Sequence, residues 1–181
     1  MRIISGKYRG KRINPPPGFS ARPTTDFARE AIFNILVNRI DFENTDVLDL
    51  FSGTGSISYE FASRGVKSVH LVEKDFKHFS FIRKMVADLK FDTIKPFHSD
   101  VRVFLKSCKL YFDIIFADPP YDLEWLKTIP DLVIKSGLLK ENGFFILEHP
   151  RDMSFSSNKY FFEHRNYGSV NFSFFKPKTE V

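Results

Sequence analysis

From Asp46 onward the chain alternates short apolar runs with stretches of helical periodicity, and few architectures accept that pattern. Residues 47–51, Ser68–Glu73, Ile94–His98, Phe112–Ala117 and residues 144–148 read as strands. Between them, residues 56–64 read as a helix, and Phe79, Ile82, Val86 and Leu89 share one helical face. Val101, Phe104 and Leu105 mark a shorter helix, and residues 123–136 form another that Gly137 stops. Strand–helix alternation argues for a parallel sheet covered by helices on both faces. After Pro150, residues 159–166 and 169–176 alternate aromatic and polar side chains around Tyr167-Gly168, a hairpin signal. The expected fold is α/β, a mainly parallel sheet finished by an antiparallel hairpin.

Ahead of this unit, residues 1–14 carry Arg2, Lys7, Arg9, Lys11 and Arg12 interleaved with Ile3, Ile4, Tyr8 and Ile13, with Gly6 and Gly10 as turn points. That pattern predicts a basic β-hairpin. Two readings stand: an edge ribbon whose lysines discourage edge pairing, and a nucleic-acid contact. Pro15-Pro16-Pro17-Gly18 then forms a stiff connector, and Arg22-Pro23-Thr24-Thr25-Asp26 leads into a helix capped by Thr25 or Asp26. Phe27, Ala28, Ala31, Ile32, Ile35, Leu36 and Ile40 give that helix one buried face, with Arg29 and Arg39 off it. The expected division is a hairpin and linker over residues 1–20 and one main domain over residues 21–181.

Composition narrows the partners. A length of 181 residues with 43% hydrophobic and 27% charged content suits one globular domain. The apolar runs are too short to span a bilayer and the first seven residues lack a signal peptide's apolar block, so a cytoplasmic protein is expected. The single cysteine, Cys108, excludes an internal disulfide framework, and no Cys/His cluster has zinc-like spacing, so no metal is expected. A formal charge of +5 favours a polyanionic partner.

Val47-Leu48-Asp49-Leu50-Phe51-Ser52-Gly53-Thr54-Gly55 is a strand feeding a glycine-rich turn and then a helix, the geometry of an adenosine-cofactor site. Glu73 ends the next strand, 20 positions after Gly53, where a carboxylate can take both ribose hydroxyls. Ser58 stands where a dinucleotide fingerprint has its third glycine, and no P-loop motif is present. Asp49 ahead of the turn suits a cationic ligand such as S-adenosylmethionine. Asp100, after the third strand, has two compatible readings: a bond to an adenine amino group, or the N-cap of the helix that follows. Asp118-Pro119-Pro120-Tyr121 closes the fourth strand, so a carboxylate and an aromatic ring are held by two φ-restricted residues at the edge where open α/β sheets bind ligands.

In order and spacing, residues 49–55, Glu73, Asp100 and residues 118–121 resemble the class I amino-methyltransferases. The Asp-Pro-Pro-Tyr motif alone is shared with DNA adenine methyltransferases. Residues 2–11 and 22–30 narrow the match, and from about Arg2 to Lys176 the chain resembles the RsmD family, bacterial methyltransferases of the exocyclic N2 of a guanine in small-subunit (16S) ribosomal RNA. The resemblance implies a Rossmann-like, seven-stranded class I methyltransferase fold and S-adenosyl-L-methionine as cofactor, held by Asp49, Phe51, Gly53, Gly55, Glu73 and Asp100. It implies that Asp118, Pro119, Pro120 and Tyr121 form the catalytic motif. Asp118 and the Pro119 carbonyl would accept the two amino hydrogens, and Tyr121 would stack on the target base, core packing being the other reading of that ring. It also implies RNA contacts from Arg2, Lys7, Tyr8, Arg9, Lys11, Arg12, Arg22 and Arg29. The partner would be 16S ribosomal RNA or a small-subunit assembly particle, bound by a monomer. The rival readings are an amino-methyltransferase of another nucleic-acid target, DNA adenine N6 or another RNA guanine N2, and a non-catalytic RNA-binding protein on the same fold.

Overall fold

The computed structural model describes residues 1–19, 26–168 and 170–177. Strands β1 (Asp46–Leu50), β2 (Ser68–Glu73), β3 (Ile94–His98), β4 (Phe112–Ala117), β5 (Leu139–His149), β6 (Phe161–Tyr167) and β7 (Val170–Phe175) form one sheet in the order β3-β2-β1-β4-β5-β7-β6. The first five are parallel, and β7 runs antiparallel to both β5 and β6, as the pattern predicts. Leu50 pairs with Val72 on one side and with Ala117 on the other, and Ala117 pairs with Leu147. Phe51, Glu73, Asp118 and Glu148 therefore leave the sheet at one level, around the point where strand order reverses.

Side chains alternate across the sheet, so each strand feeds two cores. Val47, Ile114 and Ile146 join the core beneath α1 (Asp26–Leu36), α2 (Ser56–Ser63) and α3 (Phe76–Asp88). Leu48, Leu50, Ile115 and Leu147 join the core beneath α4 (Val101–Ser107) and α5 (Ile129–Lys135). By the same alternation Asp49 falls on the α2 face.

Four expectations are corrected. The helix expected over residues 123–136 is a 3-10 turn, Leu126–Thr128, followed by α5, because Pro130 fits only a first turn, where no N–H is needed. Strand β5 extends well before residue 144, since Leu139 already pairs with Phe112. In α1 the buried stripe is Ala28, Ala31, Ile32 and, at its end, Leu36, widened by Phe33 and Arg29; Phe27 is 60% exposed and Arg29 only 1%. The N-terminal hairpin reduces to one antiparallel bridge, Arg2 with Arg12, flanked by bonds from Ile3 N–H to the Lys11 carbonyl and from Ile13 N–H to the Met1 carbonyl. Ile3 and Ile13 insert into the core shared with α1 and α2. The expected Thr25 cap lies outside the described residues.

Candidate active site

A cavity of about 920 Å³ opens at the carboxyl ends of β1, β2 and β4. Asp49, Phe51, Gly53, Glu73 and Asp100 line it on one side, and Asp118, Pro119, Pro120 and Tyr121 on the other. Gly55 is not in the wall: at φ 83 it backs onto Tyr59, and a Cβ there would meet that ring at 2.7 Å.

The turn after β1 is built by backbone bonds. Ser52 N–H reaches the Val72 carbonyl, Gly55 N–H reaches the Ser52 carbonyl, and both Phe51 and Gly53 adopt left-handed φ, 58 and 55. For Phe51 that conformation is costly, and its ring is held against Trp125 at 5.7 Å. Glu73 locks the turn to β2, one oxygen accepting Gly53 N–H at 2.7 Å and the other Asp75 N–H at 2.7 Å. Each carboxylate oxygen keeps a further lone pair for a ligand hydroxyl.

Asp49 is 2% exposed and accepts a hydrogen bond from the Ser58 hydroxyl at 2.6 Å. Burial pushes its pKa up to about 7 against that bond, and the neighbouring Asp118 and Glu73 charges push the same way. Asp100 caps α4, accepting Arg102 N–H at 2.9 Å. Burial works to raise its pKa, but bonds from Arg102 and Lys74 hold it at about 2. The cap is thus observed, and the carboxylate still faces the cavity.

At the other wall, the Tyr121 hydroxyl donates to Glu148 across 3.3 Å. Glu148 is a buried carboxylate near the end of β5 that sequence reading passed over, since only the strand register brings it beside Asp118. Ser58, Trp125 and Phe76 were also missed. Trp125 carries the Arg102 guanidinium 5.0 Å from its ring centre, and Phe76 lines the cavity while 67% exposed. In the sequence Ser58 reads only as a missing glycine, although a hydroxyl on the first turn after a strand-borne acid is a recognisable signal.

Among the residues assigned to RNA, Arg2, Lys7, Arg9, Lys11 and Arg12 are exposed on the N-terminal segment. Tyr8 is half-buried, its ring 4.5 Å from Phe91. Arg29 is a correction: its guanidinium is sunk between α1 and the N-terminal segment, bonded to the Asp26 carboxylate and the Arg2 carbonyl, so it does not reach solvent as a phosphate ligand would. Arg22 lies outside the described residues.

The lining fits S-adenosylmethionine. Six carboxylates, of Asp49, Glu73, Asp75, Asp100, Asp118 and Asp122, line one cavity; its Lys74 and Arg102 bond Asp100, and no lysine or arginine is bonded to Asp49 or Glu73 among the described residues, an acceptor set that favours a cationic ligand rich in hydroxyl and amino hydrogens. No group of His, Cys, Asp and Glu among the described residues could hold a metal, and no described helix is long and apolar enough to cross a membrane.

This sheet order, with a glycine turn after β1 and an acid ending β2, defines a Rossmann-like methyltransferase fold. A family model described as Conserved hypothetical protein 95 matches residues 1–176. The chain belongs to that family, the RsmD family. It is 32% identical over 154 residues to "Ribosomal RNA small subunit methyltransferase D" of Buchnera aphidicola subsp. Baizongia pistaciae, covering 85% of this chain and 78% of the relative. The Escherichia coli K12 protein of the same name is 31% identical over 148 residues, covering 82% and 74%. A solved structure, that of a hypothetical protein of Thermus thermophilus, superposes with a TM-score of 0.84 at 30% identity, covering 98% of this chain and 99% of that one.

Proposed function

We propose that this protein methylates the exocyclic N2 of a guanine in 16S ribosomal RNA. The observation that carries the reading is the convergence of Asp118-Pro119-Pro120-Tyr121 and the Asp49–Glu73 side on one cavity, so that a base and a cofactor can meet there. The names of the relatives supply the substrate class. When bound, S-adenosylmethionine supplies an electrophilic methyl group; Asp49, Glu73 and Asp100 with the turn at Phe51 and Gly53 are the residues that would hold it.

An exocyclic amino group is a poor nucleophile because its lone pair is delocalised into the purine. The Asp118 carboxylate and Pro119 carbonyl accept its two hydrogens, which favours a more tetrahedral nitrogen with an available lone pair. Pro119 and Pro120 fix the backbone that presents them. Tyr121 stacks on the base, which enters the cavity unpaired. Arg2, Lys7, Arg9, Lys11 and Arg12 bind phosphates outside it. The test is to map modified nucleotides in 16S ribosomal RNA from cells with and without this protein. One guanine should lose its N2-methyl group, and an unchanged map would refute the reading.

A further inference from the structure

Helix α2 is tied down at both ends. It starts at the glycine turn of the cavity, where Ser58 reaches Asp49. Its C-terminal half holds the N-terminal segment. Glu60, 1% exposed, accepts Ile4 N–H at 2.7 Å and Ser5 N–H at 3.1 Å, while its Oε1 also takes Arg64 Nε at 2.8 Å. The Ser63 carbonyl accepts Lys7 N–H at 2.7 Å, and the Ser63 hydroxyl accepts Tyr8 N–H at 3.0 Å and donates to the Ser5 carbonyl at 2.6 Å.

The approach leaves no slack. Gly6 has φ 80, and a Cβ on it would lie 1.8 Å from the Ser63 carbonyl oxygen. The amides of residues 4, 5, 7 and 8 are therefore satisfied by one helix and not by hairpin pairing. Lys7 and Arg9 emerge from a backbone already fixed before any ligand arrives.

We propose that α2 presents the N-terminal loop as a preformed grip for RNA phosphates, at a fixed span from the methyl-transfer cavity, with Glu60 and Ser63 as the residues that position it. This rests on the RNA-methylating reading above. A helix of 8 residues spans about 12 Å, so it sets the distance between phosphate grip and target base. Ordering the loop within the fold spares that cost at RNA binding.

The sign of one mutation separates positioning from plain electrostatics. Glu60 is an anion beside a basic loop, so removing its charge should by long-range field alone tighten binding of a polyanion. If Glu60 positions the loop, Glu60→Gln weakens binding instead. Gly6→Ala changes no charge and dislodges the same loop.

The experiment measures affinity for protein-free 16S ribosomal RNA against salt for wild type, Glu60→Gln, Gly6→Ala and Lys7→Glu. S-adenosylhomocysteine affinity serves as the folding control, and hydrogen exchange is followed at the amides of residues 4, 5, 7 and 8. Glu60→Gln and Gly6→Ala should each weaken RNA binding about tenfold and speed exchange at those amides, with S-adenosylhomocysteine affinity retained. Unchanged or tighter RNA binding in both, with that affinity retained, overturns the proposal. So does loss of S-adenosylhomocysteine binding in both, which would make the clamp part of the fold and not of RNA positioning. If Lys7→Glu also leaves RNA affinity and its salt slope unaltered, the failure lies in the RNA-binding reading of the loop itself.

Discussion

Ser58, on the first turn of α2, donates its hydroxyl hydrogen to the buried carboxylate of Asp49 on β1 across 2.6 Å. The bond ties the glycine turn across its base, and it favours the ionised form of an acid that burial holds near a pKa of about 7. A positively charged ligand in the cavity favours the same form. Binding of S-adenosylmethionine near neutral pH should therefore release a proton, and affinity should rise as pH increases through about 7. Calorimetry in buffers of different ionisation heat measures the release. Ser58→Ala should move the midpoint upward and weaken binding at pH 7 by about tenfold; a pH-independent affinity would contradict the assignment of Asp49.

The same acid sets a conflict between stability and binding. Its folded pKa, about 7, lies above the ordinary 3.8, so the folded state holds the proton more tightly than the unfolded chain. Stability from this site is present at low pH and is lost as pH rises from about 4 through about 7. Asp49→Asn removes the ionisation while keeping an acceptor for Ser58. Above neutral pH it should raise unfolding free energy by about 1 kcal/mol and abolish binding of S-adenosylmethionine. Urea titration beside calorimetry reads both, and a destabilised variant would show that the buried charge is compensated elsewhere.

At the opposite wall, Asp118→Asn should cut single-turnover methylation by about 100-fold with S-adenosylhomocysteine affinity intact, because the variant loses the charge that draws on the amino hydrogens. Tyr121→Ala should lose turnover with the stacking ring. Tyr121→Phe keeps the ring and removes only the hydroxyl bonded to Glu148, so it should retain most of the rate. Rapid-quench transfer of labelled methyl to ribosomal RNA distinguishes the three. Wild-type rates in Asp118→Asn would remove that residue from the chemistry.

What sequence made legible here is what short-range pattern controls. The ends of β2, β3 and β4 follow from apolar runs closed by polar or proline residues, and those ends carry Glu73, Asp100 and Asp118 to one edge of the sheet. What escaped depends on partners far along the chain. Arg29 looks like a surface cation by its spacing, yet the Arg2 carbonyl 27 residues away draws it into the core. Glu60 reads as an ordinary helix acid until the amides of residues 4 and 5 arrive at its two oxygens. Glu148 meets Tyr121 only because β5 lies beside β4 in a particular register. Pro130 and Ser58 were local signals overlooked: a proline well inside an expected helix marks a first turn, and a hydroxyl on the first helical turn after a strand-borne acid can bond it.

The sheet has a second ionic centre at its other end. Lys140 on β5 bonds Asp46 on β1 at 2.8 Å and Asp113 on β4 at 2.7 Å, so one ammonium joins three adjacent strands. Burial alone would raise the Asp46 pKa, but bonds from Lys140, Ser68 and Lys67 bring it down to about 2. The folded value lies below the ordinary 3.8, so this carboxylate contributes stability that is present above about pH 4 and lost as pH falls toward about 2. Lys140→Met removes the cation that Asp46 and Asp113 share, leaving Asp46 only Lys67 at 3.2 Å, and should cost about 2 kcal/mol at neutral pH with a shallower loss on acidification. Because this centre sits at the amino ends of the strands, S-adenosylhomocysteine affinity should stay unchanged. Denaturant titrations of wild type and variant across that acid range check the effect, and parallel curves would mean that the three-strand bridge adds nothing to the fold.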